Sequence, residues 1–253
     1  MHAICEFIEP TTFALALLTI LCAYFIFGIS GFGSSIVAVP LLVQIYPLKI
    51  VVPMMVLIDL SASFYLGRKF SNTANKQELK WLFPFTLAGM AAGIFLLVNA
   101  PSKPLLVTLG IFAVANGART LLQKGTMKQK PINKWWAVPF GVCGGMFTAL
   151  FATGGPIYAS YLNFRLSDPR VIRATMAFAI FMLTFLRLLF MLISGLILSW
   201  PIFGLALCLI PAMIAGVGLG SHVHSKMTHT AMRVTYGSIL LFSGISLLVK
   251  QWL

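Results

Sequence analysis

The sequence predicts an all-α polytopic membrane protein with about eight transmembrane helices, two of them broken or hairpin-like, in two similar, inverted halves. Three observations carry that expectation. The 253 residues are 59% hydrophobic and only 9% charged, with a mean hydropathy of +0.96; soluble domains carry about 25% charged residues. Apolar runs of spanning length recur along the whole chain. Two of those runs are interrupted at the centre by glycines and closed by a proline.

The first interrupted run, residues 12–46, holds 35 residues. As one straight helix it would measure about 52 Å, against a hydrocarbon core of about 30 Å. Its break reads Gly28-Ile29-Ser30-Gly31-Phe32-Gly33-Ser34-Ser35, with Pro40 following. Glycines weaken helices and suit chain reversals, so this run is expected to fold back as a hairpin or re-entrant element. The first residues lack the basic stretch of a cleaved signal peptide, so the run is expected to persist as a helix. Runs 50–67, 81–98 and 105–122 complete the first half.

Residues 123–134 carry four lysines and Pro131 and read as a cytoplasmic linker. They divide a first membrane repeat, 1–122, from a second, 135–253. Run 135–164 meets the same length problem with the same remedy: Gly144-Gly145-Met146-Phe147-Thr148-Ala149, then Thr153-Gly154-Gly155-Pro156. Runs 174–197, 200–220 and 234–253 follow.

Charge placement distinguishes two topologies. If each interrupted run crosses once, ten Lys/Arg lie inside and seven outside. If each returns to the side it entered from, residues 165–173 and 226–233 move inside and Lys250 moves outside. The balance becomes fourteen against three, with Arg187 inside a span. Cytoplasmic loops carry the excess of Lys and Arg, so the returning form is preferred, and it makes the halves inverted. The formal charge of +13 is thereby explained by topology; no basic soluble domain exists to bind nucleic acid.

Paired breaks in two halves of a membrane protein point to a transport site. A helix that restarts after a break presents free N–H donors and a partial positive charge, which together bind anions. Candidate substrate-binding residues are therefore Gly31, Gly33, Ser34 and Ser35 in the first break and Thr153, Gly154 and Gly155 in the second. Ser30 and Thr148 could add hydroxyls, and Tyr158 and Asn163 could line a cavity. The competing reading is that the small residues only permit close helix packing.

Arg187 falls inside an apolar run, where ionisable groups are costly and face a cavity or a partner. Its guanidinium fork suits sulfonate or carboxylate. Asp59 is the acidic residue inside a predicted span; it could couple anion movement to protons or pair with Arg187 as a structural bridge. Arg165, Arg170 and Arg173 read as topology-setting charge.

At the two breaks the chain resembles the TauE/SafE sulfite-exporter family. Ile29-Ser30-Gly31-Phe32-Gly33-Ser34-Ser35-Ile36-Val37-Ala38-Val39-Pro40-Leu41-Leu42 is similar to that family's first glycine-rich motif. Thr153-Gly154-Gly155-Pro156, then Tyr161-Leu162 and Arg173-Ala174-Thr175, is similar to its second. Two departures stand out: Ser34-Ser35 where many members carry glycines, and Ala152 where a glycine is often seen. The resemblance implies a secondary transporter, expected to be an exporter, of small anions such as sulfite, organosulfonates or carboxylates in the plasma (inner) membrane. The alternatives are a passive anion channel or a non-transporting scaffold.

Other classes fit poorly. An intramembrane enzyme needs a nucleophile with a base, or a metal pair; Ser61 and Ser63 beside Asp59 do not make one. No nucleotide-binding GxxxxGK[ST] loop is present. Cys5, Cys22, Cys143 and Cys208 lack ligand spacing and read as small buried hydrophobes. His222, His224 and His229 share a loop with Lys226 but have no acidic or thiol companions there, so neither metal nor cofactor is expected. The expected partners are a small anion, the lipid bilayer and possible further copies of the chain.

Overall fold

The computed structural model describes residues 9–30, 33–70, 74–122, 132–197, 200–224 and 229–252. Among them the first half forms α1 (Pro10–Ser30), α2 (Ser34–Leu42), α3 (Leu48–Phe70), α4 (Lys76–Asn99) and α5 (Ser102–Leu122). A 3₁₀ turn, Lys134–Trp136, leads into α6 (Ala137–Phe151), α7 (Gly155–Arg165), α8 (Pro169–Ile193), α9 (Trp200–His224) and α10 (His229–Trp252). Most of the predicted linker lies outside the described residues.

The fold is that of a polytopic helical membrane protein. Six helices, α1, α4, α5, α8, α9 and α10, are long and apolar enough to cross a bilayer. Helix α3 has comparable length, 23 residues, and carries Asp59 within it. The remaining three are short: 9 residues in α2, 15 in α6 and 11 in α7. At 1.5 Å per residue they reach about 13, 22 and 16 Å, less than the hydrocarbon core. The expected spans therefore resolve into seven long helices and the short limbs at the two breaks.

Both breaks are reversals. At the second, Ala152 adopts a left-handed conformation (φ 60°). The N–H groups of Ala152 and Thr153 donate back to the carbonyls of Thr148 and Phe147 at 3.0 and 3.3 Å, a pattern that satisfies the open helix end. Helix α7 then returns until Arg165 Nη1 donates to the Ile132 carbonyl at 2.8 Å, just before α6 begins. At the first break, Gly33 takes φ 93°, a conformation glycine adopts without steric cost. Helix α2 returns until Tyr46 lies against Thr12 at the start of α1.

The two hairpins open to opposite ends of the bundle. Arg165 meets Glu78 at the first turn of α4. Past α2, Lys49 donates to the Val98 carbonyl at the last turn of α4 at 2.9 Å, and Lys250 near the end of α10 donates to the Gln44 carbonyl.

Helix packing relies on glycine because lipid offers no hydrophobic drive between helices, and close backbone contact must supply the attraction. Helices α4 and α6 run parallel; a Cβ at Gly89 would lie 2.1 Å from the Val142 carbonyl oxygen. Helices α1 and α9 pack in the same sense, and a Cβ at Gly220 would lie 2.1 Å from the Phe25 oxygen. Helices α5 and α10 are antiparallel partners, and α3 lies against α8. Cys22, Cys143 and Cys208 are exposed on these helices, correcting the expectation of burial. An outward face in a bilayer is as apolar as the interior, so hydrophobicity does not assign a side.

Candidate functional site

Helices α3 and α8 carry the two intramembrane charges to the place where the hairpin tips meet. A cavity of about 50 Å³ lies there, lined by Gly33, Ser34 and Ser35 of the first break and by Thr153, Gly154 and Gly155 of the second. Asp59, Thr148, Tyr158, Thr184 and Arg187 complete its polar wall. Gly31 lies outside the described residues, as do the side chains of Ser30 and Arg173. Asn163 does not reach the cavity: it is exposed and donates to the Ala159 carbonyl at 2.7 Å.

Asp59 is crowded with donors. Its Oδ1 accepts from the Tyr24 hydroxyl at 2.6 Å and from Ser34 Oγ at 3.0 Å. Its Oδ2 accepts from Ser35 Oγ at 2.6 Å and lies 3.5 Å from Arg187 Nη2. Ser34 and Ser35 open α2, so the carboxylate also faces the positive end of that short helix. The first half thus supplies its own anion to its own helix terminus.

The second half does not. Among the described residues the second half contributes no carboxylate to the cavity, and the N–H groups of a first helical turn lack intrahelical acceptors. Arg187 is 2% exposed. Its Nη1 makes one long bond, 3.4 Å, to the Thr148 carbonyl. Its Nε and Nη2 have no aligned acceptor, and neither Thr153 Oγ1 nor the Tyr158 hydroxyl makes an aligned hydrogen bond. Buried polar atoms left without partners are rare in folded proteins. Here they share one wall, most of them are donors, and the nearby carboxylate is already occupied. Such a wall suits an anion of a few heavy atoms, since one water centre needs roughly 10–15 Å³.

Glycine is obligatory at Gly154. A Cβ there would lie 1.9 Å from Thr148 Oγ1 and 2.6 Å from the Gly144 oxygen. The close-packing reading and the binding reading of this motif therefore both apply: tight packing of α6 on the start of α7 aims the helix terminus at the cavity.

Two features escaped the sequence reading. Tyr24, fully buried, donates to Asp59 at 2.6 Å, as close as Ser35; no spacing in the sequence marked it. Arg165, read as topology-setting charge, is also built into a cluster. Its Nε and Nη2 donate to Glu78 at 3.1 and 2.5 Å, and Tyr161 donates to the same carboxylate at 3.1 Å. Among the described residues no group of His, Cys, Asp and Glu could hold a metal ion.

The family model described as sulfite exporter TauE/SafE matches residues 16–247. A curated relative, the probable inner membrane transporter protein TsaS of Comamonas testosteroni, is 25% identical over 204 residues, covering 79% of this chain and 83% of its own. No solved structure matches the chain.

Proposed function

The chain belongs to the sulfite exporter TauE/SafE family, and we propose that it is a secondary transporter, acting as an exporter, of small anions such as sulfite, organosulfonates or carboxylates. The observation that carries this reading is the wall of unpartnered donors on Arg187, Thr153 and Tyr158, facing a cavity between two helix starts. The cavity's volume favours the compact members of that substrate class.

In this reading the anion is held by Arg187 Nε and Nη2 and by the N–H groups around Gly154 and Gly155, with Thr153 donating a further bond. Ser34 and Ser35 hold Asp59 across the cavity. An arriving anion competes with Asp59 for Arg187. Asp59, released from its ion pair, is the candidate for linking the anion's passage to the proton gradient.

Residues 1–122 and 135–253 act as inverted repeats. The pairing of α1 with α9 is mirrored by that of α6 with α4, while α3–α8 and α5–α10 are self-paired contacts between halves. The end bearing Lys76, Lys80, Lys134 and Arg165 faces the cytoplasm by the positive-inside rule. The Arg165–Glu78 tie closes that side and the Lys250–Gln44 tie closes the other. Rocking of one half against the other opens them in turn.

The test is flux into proteoliposomes under an imposed pH gradient, with sulfite, sulfoacetate and small carboxylates offered separately. Saturable, gradient-dependent movement of a small anion is expected. Absence of movement for every anion in well-inserted protein, or flux that never saturates, would overturn the reading.

A further inference from the structure

A second and larger cavity, about 300 Å³, opens on the flank of the bundle between α4 and α8. Its walls are apolar: Leu79, Phe83 and Pro84 on one side, Phe178, Met182 and Leu183 on the other. Lys76 and Lys80 stand at its mouth, where α4 begins. Pro84 lies inside α4 and has no N–H to give, so the Lys80 carbonyl one turn earlier loses its helical partner.

The charges at the mouth are committed to nothing else. Lys76 Nζ sits 5.8 Å above the Phe178 ring, which holds the ammonium over the opening. Among the described residues neither lysine is paired with a carboxylate, because Glu78 between them turns to Arg165. The surroundings mark this level as the bilayer interface. Trp81, Trp135 and Trp136 are exposed at the same end, and Lys134 lies 5.8 Å above the Trp81 ring; aromatic belts of this kind sit at headgroup depth.

We propose that this groove binds one anionic phospholipid. An acyl chain fills the apolar trough and the headgroup phosphate is held by Lys76 and Lys80. Basic residues above an apolar cleft between membrane helices are suited to that ligand. A soluble phosphate would satisfy the lysines but leave the trough empty, and a zwitterionic lipid would fill the trough without matching two unpaired cations. The trough's inner wall at Leu183 is also part of the wall of the central cavity, so the lipid lies one side chain from the site already described.

Native mass spectrometry of the full-length protein, titrated with phosphatidylglycerol or phosphatidylcholine, tests this. One phosphatidylglycerol should be retained at least tenfold more tightly than phosphatidylcholine. Lys76→Gln/Lys80→Gln should remove that preference, Ala179→Leu should reduce retention of both lipids by filling the trough, and Lys103→Gln at the opposite end should change nothing. The two variants probe headgroup and chain separately, so poor folding of either leaves the other informative. Equal retention of the two lipids by the wild type, unchanged retention in the folded variants, or displacement by inorganic phosphate at equal concentration would each overturn the proposal.

Discussion

Replacing Arg187 separates a binding cation from a structural bridge. Arg187→Gln removes one unfilled charged donor, Nε, and the Nη2 paired with Asp59 at 3.5 Å; a hydrogen bond to a charged group is worth about 1.5–3 kcal/mol. Anion affinity should fall by about 1.5–3 kcal/mol, or roughly 10- to 10²-fold at 1.4 kcal/mol per decade, because a bond from Nη2 to the anion only replaces its contact with Asp59. Stability should fall too, because breaking a buried pair costs about 3–5 kcal/mol. The lower end applies here, since Asp59 keeps three hydroxyl donors at 2.6, 3.0 and 2.6 Å. Asp59→Asn should be the more damaging single change, because it leaves Arg187 with one 3.4 Å bond. The neutral double variant, Asp59→Asn/Arg187→Gln, should regain most of the lost stability, as coupled neighbours do. It should not regain flux. Thermal unfolding in detergent reads the first quantity and saturable uptake into proteoliposomes the second. Recovery of flux together with stability would refute the reasoning and leave the pair as a bridge only.

Three further outcomes follow from the hairpins and their ties. Ala152→Gly should stabilise the protein by about 1 kcal/mol, because it relieves a side chain at φ 60°; an unchanged or lower melting temperature would contradict that. Gly154→Ala should abolish flux while insertion persists, since its methyl would fall 1.9 Å from Thr148 Oγ1 and force α6 off the start of α7; normal uptake would show that this junction is not critical. Glu78→Gln should weaken the tie to Arg165, and a double-mutant cycle with Arg165→Gln should return a coupling of about 1–3 kcal/mol for so sheltered a pair; a coupling near zero would remove the tie from the account.

The membrane class and the two reversals were legible because they are properties of length and local chemistry. A run of 35 residues cannot fit a bilayer straight, and glycine clusters mark where a chain can turn, although Ala152 takes the left-handed conformation at the second turn. Arg187 and Asp59 were legible as costly charges in apolar runs, but 128 positions separate them in sequence, and only the packing of α3 on α8 fixes their 3.5 Å approach. The donor asymmetry between the halves was not legible at all. Ser34 and Ser35 read as free hydroxyls, whereas both are spent on Asp59. Glu78 was overlooked because the topology argument counted only Lys and Arg. The orientation of the cysteines failed for a different reason: burial rules drawn from water do not rank faces in lipid.

Selenite is a compact oxyanion whose selenium scatters anomalously, so it reports position as well as binding. A crystal structure of the protein soaked with selenite tests the central claim most directly. The account predicts one anomalous peak between the hairpin tips, within hydrogen-bond reach of Arg187 Nε and Nη2 and of the start of α7, and its disappearance in Arg187→Gln. A peak elsewhere in the bundle, or one that survives that substitution unchanged, would contradict it.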